Sequence, residues 1–333
     1  MKGTFATLLL LCCSLPLMAQ PFKPVNKSAS SEAQRLLQYL YQVDDTHILS
    51  GQHSYSNDLN RYYNRAQEIA GKYPAIWGTD FIWHGEKDPG QDVVAEAIRK
   101  HKEGAIITLM WHAGRPTDKP PFGWKESIQA ELTDQEWKDL TTPGTALYKT
   151  WEKQADQVAT YLKQLQDAQV PVLWRPYHEM NGVWFWWGDK KGPDGFVKLW
   201  KMMYDRYVNH HKLNNLIWVW NANAPRDIPK DEAYSYIDFY PGSEYVDVLA
   251  TDVYHSDYEQ KDYQELLDVA GGKVIALGEV GTLPNRHILE AQPKWAWFMV
   301  WSNWLETHNK PEQVKEVYEL PMTLTRDEID LKK

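Results

Sequence analysis

Eight short runs of aliphatic and β-branched residues, separated by segments with helical apolar spacing, constrain this chain more than any other feature. The runs are 47–53, 73–81, 105–112, 170–178, 215–221, 247–255, 273–280 and 295–302. Between and around them, apolar residues recur at three- and four-residue intervals in 31–43, 57–72, 91–103, 146–169 and 196–212, which predicts helices. Gly71 and Gly104 follow two of these helices, where a left-handed cap is needed. The segment 113–145 holds Pro116, Pro120, Pro121 and Gly123, and reads as a long loop with one short helix at 134–140. A helix at 312–319 and a charged tail close the chain.

Eight strand–helix units are what a closed parallel (β/α)8 TIM barrel requires. A doubly wound sheet shares the alternation, but the glycine fingerprint that cradles phosphate in that fold is missing, and Gly271-Gly272 before a strand reads as a turn. One α/β barrel domain is therefore expected over residues 20–333. Residues 1–19 carry Lys2, an apolar stretch and a small residue before Gln20, which is the pattern of a cleaved signal peptide. Both cysteines, Cys12 and Cys13, lie within that segment, so the mature domain is expected to rely on its core without disulfides or thiolate metal sites. The residues before them are Leu and Cys, bulkier than a lipid-attachment site takes. Export to the periplasm or the cell exterior is expected over lipid anchoring, with no membrane association after cleavage and a monomeric state.

In a barrel of this kind the site lies at the carboxyl ends of the strands. Those ends read His53, Asp80, His112, His178-Glu179, Asn221 and Asn223, Asp252 with Tyr254 and His255, Glu279, and Trp301. Polar, ionisable and aromatic residues gathered at the ends of apolar strands favour a binding or catalytic site over eight coincidences.

The fourth run stands out. It passes from Trp174 into Arg175-Pro176-Tyr177-His178-Glu179-Met180-Asn181-Gly182 and then presents Trp184, Phe185, Trp186 and Trp187. Burying an unpaired carboxylate is costly, and exposing so much aromatic area usually marks a binding surface. Glu179 and Glu279 end the fourth and seventh runs, and two carboxylates facing each other across a sugar are the minimal apparatus of glycoside hydrolysis. Taken singly, each is equally well read as half of a buried ion pair, with Arg175 as the available cation. His112 and His178 with Asp80 or Asp252 also admit a metal site, but no compact ligand spacing supports it, so neither metal nor cofactor is expected. Asp252 and Tyr254 share one strand face, which would let Tyr254 donate to a carboxylate.

Composition agrees with a sugar as the ligand. The chain has 17 Trp and 19 Tyr, rings with apolar faces and a polar edge. With 36 Lys+Arg against 45 Asp+Glu and a formal net charge of −9, it has no electrostatic case for binding nucleic acid.

The motif 175–182, the aromatics that follow it and Gly278-Glu279 resemble the family 26 glycoside hydrolases, most of which are β-mannanases. Ser50-Gly51-Gln52-His53, Met110-Trp111-His112 and residues 324–329 extend the resemblance over nearly all of the mature chain. It implies Glu179 as acid/base, Glu279 as nucleophile and retention through a covalent intermediate. It also implies that His112, His178, Trp184, Tyr254 and Trp301 contact the sugar or orient the carboxylates, with Asp252 beside them. On the eighth strand, Trp295, Trp297 and Trp304 compete with Trp301. The implied substrate is β-1,4-mannan, galactomannan or manno-oligosaccharide. A glucanase or xylanase on the same fold, and a non-catalytic carbohydrate binder, are the rival readings.

Overall fold

The computed structural model describes residues 23–43, 46–254 and 256–331; the expected signal segment and His255 lie outside these. All eight predicted strand positions carry a strand: β1 (Ile48–His53), β2 (Ile76–Asp80), β3 (Ile106–Trp111), β4 (Val172–Pro176), β5 (Leu216–Asn223), β6 (Val248–Val253), β7 (Val274–Val280) and β8 (Trp295–Val300). Each pairs in parallel with its sequence neighbour, and β1 joins both β8 and β2, so the sheet closes into a (β/α)8 barrel. A short ninth strand, Thr323–Leu324, adds to β1.

Every residue of β1 to β8 is buried, and strand parity divides the apolar ones between two clusters. In β4 and β5, Leu173, Ile217 and Val219 belong to the cluster that also contains Met299 and Trp297. Their neighbours Trp174, Trp218 and Trp220 belong to the cluster formed with the surrounding helices. Gly78 is required by crowding: a Cβ there would lie 2.8 Å from Thr108 and 3.2 Å from the Met299 methyl. The helix α1 (Ser31–Val43) packs Leu36, Leu37 and Leu40 into the first cluster and contacts β5 and β8.

The helices α2 (Arg61–Ala70) and α3 (Gly90–Lys102) are followed by Gly71 and Gly104 at φ 75° and 97°, as their positions predict. In the long loop after β3, α4 (Asp134–Leu140) starts in a capping box: Glu136 N–H donates to the Thr133 hydroxyl while the Glu136 carboxylate accepts from Thr133 N–H. The same loop holds a π-turn at Trp124–Ile128, which no periodicity signals. α5 (Ala146–Asp167) is the longest helix described. The helix expected over 196–212 instead splits into α6 (Phe196–Tyr204) and a π-turn, Asp205–His210. The apolar pattern does not distinguish the two ladders, because both keep one face inward.

Candidate active site

β4 ends at Pro176, and the chain then leaves the sheet through two residues in the left-handed region, Tyr177 at φ 50° and Glu179 at φ 53°. Such conformations in non-glycine residues cost about 1–3 kcal/mol each and persist only where the surroundings hold them. Here the hold is visible. Glu179 N–H donates to Asn221 O at 2.8 Å, and the aromatics beyond it are tied down beneath the loop. Trp186 Nε1 donates to Ala113 O, Trp187 Nε1 donates to His178 O, and Phe185 stacks on Trp187 at 4.4 Å. Of the four successive aromatics only Trp184 keeps an accessible flank. Its Nε1 donates to Glu179 Oε2 at 2.6 Å, while Asn223 Nδ2 donates to Oε1 at 2.6 Å.

Glu279 reaches the same space from β7, where an irregular register against β6 between Thr251 and Asp252 sets Asp252 opposite it. A Cβ on the preceding Gly278 would lie 1.9 Å from Asn221 Oδ1 and 2.7 Å from Asp252 Oδ1, so only glycine permits this approach. Arg175 Nη2 donates to Glu279 Oε1 at 2.9 Å, and its Nη1 donates to Gly278 O. Tyr254, one residue past the end of β6, donates from Oη to Glu279 Oε2 at 2.7 Å, so the expected bond to a carboxylate forms although the residue lies beyond the strand. The ion pair anticipated for a single carboxylate thus exists, and it belongs to Glu279.

The two carboxyl groups are both buried but differently supported. Burial pushes the Glu179 carboxyl up to about 7, the charge of Glu279 adds to this, and no cation touches it. Burial also raises Glu279, but the Arg175 charge and the Tyr254 hydroxyl act against it and favour its ionised form. Asp252 is fully buried, with Oδ1 accepting from Asn221 Nδ2 at 2.7 Å and Oδ2 unpartnered. Burial, then the charges of Glu279 and Glu179, push its carboxyl well above the usual carboxylate range.

The histidines form the adjoining wall. His112 Nδ1 bonds the Asp80 carboxylate, and its backbone N–H donates to the same group at 3.1 Å, which leaves Nε2 as the free ring nitrogen. His178 stands edge-on to His112 at 4.5 Å, with Nε2 at 3.7 Å from Glu279. Burial, then the charges of His112 and Arg175, keep His178 far below its ordinary range and therefore neutral. His53 stacks on Trp301 at 4.1 Å. His53, Asp80, His84, His112, Trp124 and Trp301 line a cleft of about 1050 Å³. Trp295 and Trp297 are buried in the core, and Trp304 packs edge-on against Tyr254 at 5.0 Å, so among the competing tryptophans Trp301 is the one on the cleft.

His178, Asp252 and Glu279 bring one potential metal-ligand atom each within 4.8 Å of one another. The Arg175 guanidinium already supplies the positive charge at that place, in contact with Glu279.

A model described as glycosyl hydrolase family 26 matches residues 25–328. The chain belongs to that family. It is 37% identical to the mannan endo-1,4-beta-mannosidase of Thermothelomyces thermophilus over 91% of this chain and 62% of that one. The first curated relatives are longer, and the chain spans 50–62% of their length. Among solved structures, GH26A from Muricauda sp. is 64% identical with a TM-score of 0.91, covering 92% of this chain and 99% of that one. A beta-mannanase from a symbiotic protist of the termite Reticulitermes speratus, complexed with gluco-manno-oligosaccharide, is 30% identical with a TM-score of 0.80, over 92% and 97% of the two chains.

In this family 26 chain, His53, Asp80, His112 and Trp301 from the predicted strand ends line the cleft, and His178, edge-on to His112, connects them to the buried group of Asp252, Glu279 and Tyr254. Reading the sequence did not single out Trp124 and Arg226, which lie on loops without periodicity. In the sequence Asn223 appears only as a strand end, and Asp80 as a strand end and a candidate metal ligand. The signal for Asn223 was its place two residues beyond Asn221 on the same strand face.

Proposed function

We propose that this chain is a retaining mannan endo-1,4-β-mannosidase. The observation that carries the reading is the unequal support of two buried carboxyl groups that act on each other electrostatically. Glu279, bonded by Arg175 and Tyr254, is the ionised nucleophile; Glu179, near pKa 7 and without a touching cation, is the proton donor. Family membership and the names of the relatives support β-mannan or manno-oligosaccharide as substrate.

In the first step a Glu279 oxygen attacks the anomeric carbon while Glu179 gives its proton to the departing glycosidic oxygen. A glycosyl ester forms on Glu279 as the glycosidic bond breaks. In the second step Glu179, now ionised, takes a proton from water, and that water displaces Glu279 from the anomeric carbon. The ring of Trp184 faces the departing sugar. His112, His178 and Trp301 hold the sugar being transferred. Asp252 supports this set from below, accepting a hydrogen bond from Asn221. Residues 1–19 direct export, and the enzyme acts as a monomer in the periplasm or outside the cell.

The test is release of reducing ends from mannan, mixed-linkage glucan and xylan at equal load. Mannan is expected to be cut at least about tenfold faster, the scale of one misplaced hydroxyl contact. Faster release from glucan or xylan would overturn the substrate assignment, and retention of mannan without release would overturn catalysis.

Tyr254→Phe removes one of the hydrogen bonds that favour ionised Glu279. Bonds to charged groups contribute about 1.5–3 kcal/mol, so kcat/KM is expected to fall about 10- to 100-fold. Because the nucleophile must be ionised, the acid limb of the pH profile moves to higher pH. An unmoved acid limb would remove Tyr254 from this role.

A further inference from the structure

We propose that Arg226 is a positioning residue for this reaction, holding Asn223 and Trp184 as one unit against the Glu179 carboxylate. The inference rests on Glu179 being the acid/base, and it assigns a function to a loop that otherwise lies outside the site.

Arg226 begins a hairpin in the loop after β5, with Arg226 N–H donating to Ala233 O at 2.9 Å and Ala233 N–H donating back at 3.0 Å. Its guanidinium makes three contacts at once. Nε and Nη2 form a two-pronged pair with Asp231 at 2.9 and 2.7 Å, Nη1 donates to Asn223 Oδ1, and Cζ sits 4.7 Å over the Trp184 ring. Asn223 and Trp184 are the two side chains that donate to Glu179. The consequences are specific. Because Asn223 Oδ1 accepts from Arg226, its amide can only present Nδ2 to Glu179. Because one face of the Trp184 indole is covered by the guanidinium, its rotation is blocked and only the opposite face is free for a sugar. A planar, forked cation is needed to bond an amide, pair a carboxylate and stack on a ring together, and lysine cannot do all three.

The hairpin is itself fastened to the catalytic loop. Val183 N–H donates to Glu232 O, Tyr234 N–H donates to Asn181 O, and the Asn181 side chain joins Asn223 O and N–H. The charges acting on Glu179 are Glu279 from β7, which raises it, and Arg226, which lowers it; the Glu179 charge in turn raises Asp252 on β6 and Tyr254 beyond it, and neutral His178 is adjacent in sequence. Arg226 is the cation that favours ionised Glu179, and Asp231 offsets part of its charge.

The test is the pH dependence of kcat/KM on an unbranched manno-oligosaccharide for Arg226→Ala, Arg226→Lys and Asp231→Asn. Arg226→Ala is expected to lower kcat/KM about 10- to 100-fold, the scale of a misplaced catalytic group, and to move the alkaline limb to higher pH. Asp231→Asn leaves the Arg226 charge uncompensated and moves the alkaline limb the opposite way. Arg226→Lys keeps the limb near its wild-type position without restoring the rate. If Arg226→Ala does not fold, the other two variants carry the test. Limbs that stay in place, or that move in the same direction in Arg226→Ala and Asp231→Asn, would overturn the proposal. A Glu179→Gln variant separates this from the underlying reading: if it keeps the wild-type alkaline limb, the acid/base assignment itself fails.

Discussion

Glu279→Ala is expected to lose essentially all hydrolysis of mannan, a drop in kcat/KM of at least about 10⁴-fold, comparable to the loss of the nucleophile in other covalent mechanisms. The side chain has no substitute. Asp252, opposite it across the β6–β7 register, is fully buried and hydrogen-bonded to Asn221, and Glu179 has the proposed role of proton donor. The substitution also leaves the Arg175 guanidinium, 1% exposed, without its carboxylate. Removing one partner of a buried pair typically costs about 3–5 kcal/mol of stability. Thermal unfolding of the variant must therefore accompany the assay, and Glu279→Gln, which retains an acceptor for Arg175, is expected to be equally inactive while closer to wild type in stability. Wild-type-like turnover by folded Glu279→Ala would remove the nucleophile assignment.

Glu179→Ala should divide substrates by their leaving groups. A mannan chain leaves as a poorly stabilised alkoxide and needs the proton, so its kcat/KM is expected to fall about 10²–10⁴-fold, the contribution typical of general acid catalysis. An aryl mannoside with an acidic phenol leaves without protonation and should lose far less in the first step. The pH profile carries the same information. Burial and the Glu279 charge raise Glu179 to about 7, and the reacting form is protonated, so wild-type kcat/KM on polymer falls as pH rises through about 7. In Glu179→Ala that alkaline limb disappears. Equal losses on polymer and on activated mannoside, or a retained limb, would contradict the acid role.

How the site is assembled explains what could be read from sequence. Each strand–helix unit carries its own local signal, so the barrel and the residues at its rim were legible from apolar spacing and strand ends. Glu179 and Glu279 stood out because each follows an apolar strand and because the motif 175–182 resembles family 26. The turn that aims Glu179 was not legible, since positive φ at Tyr177 and Glu179 is imposed by packing under the loop and has no glycine to mark it. Nor was the choice of ion-pair partner. Arg175 lies four residues before Glu179 in the chain, yet its guanidinium bonds Glu279, 104 residues away, because β4 and β7 face the same interior. Arg226 and Trp124 sit on loops, where side-chain roles depend on which neighbours the fold supplies. The split of the predicted 196–212 helix has the same origin: period alone does not register the change of hydrogen-bond ladder after Tyr204.

Trapping the covalent intermediate tests the central claim most directly. Glu179→Ala incubated with a 2-fluoro mannoside bearing an activated leaving group should form its ester quickly and resolve it slowly, because the water of the second step has lost its base. Digestion and mass spectrometry are then expected to find one glycosyl unit on the peptide containing Glu279. A sugar attached to any other residue, or leaving-group release with no covalent adduct and an inverted product, would contradict the account.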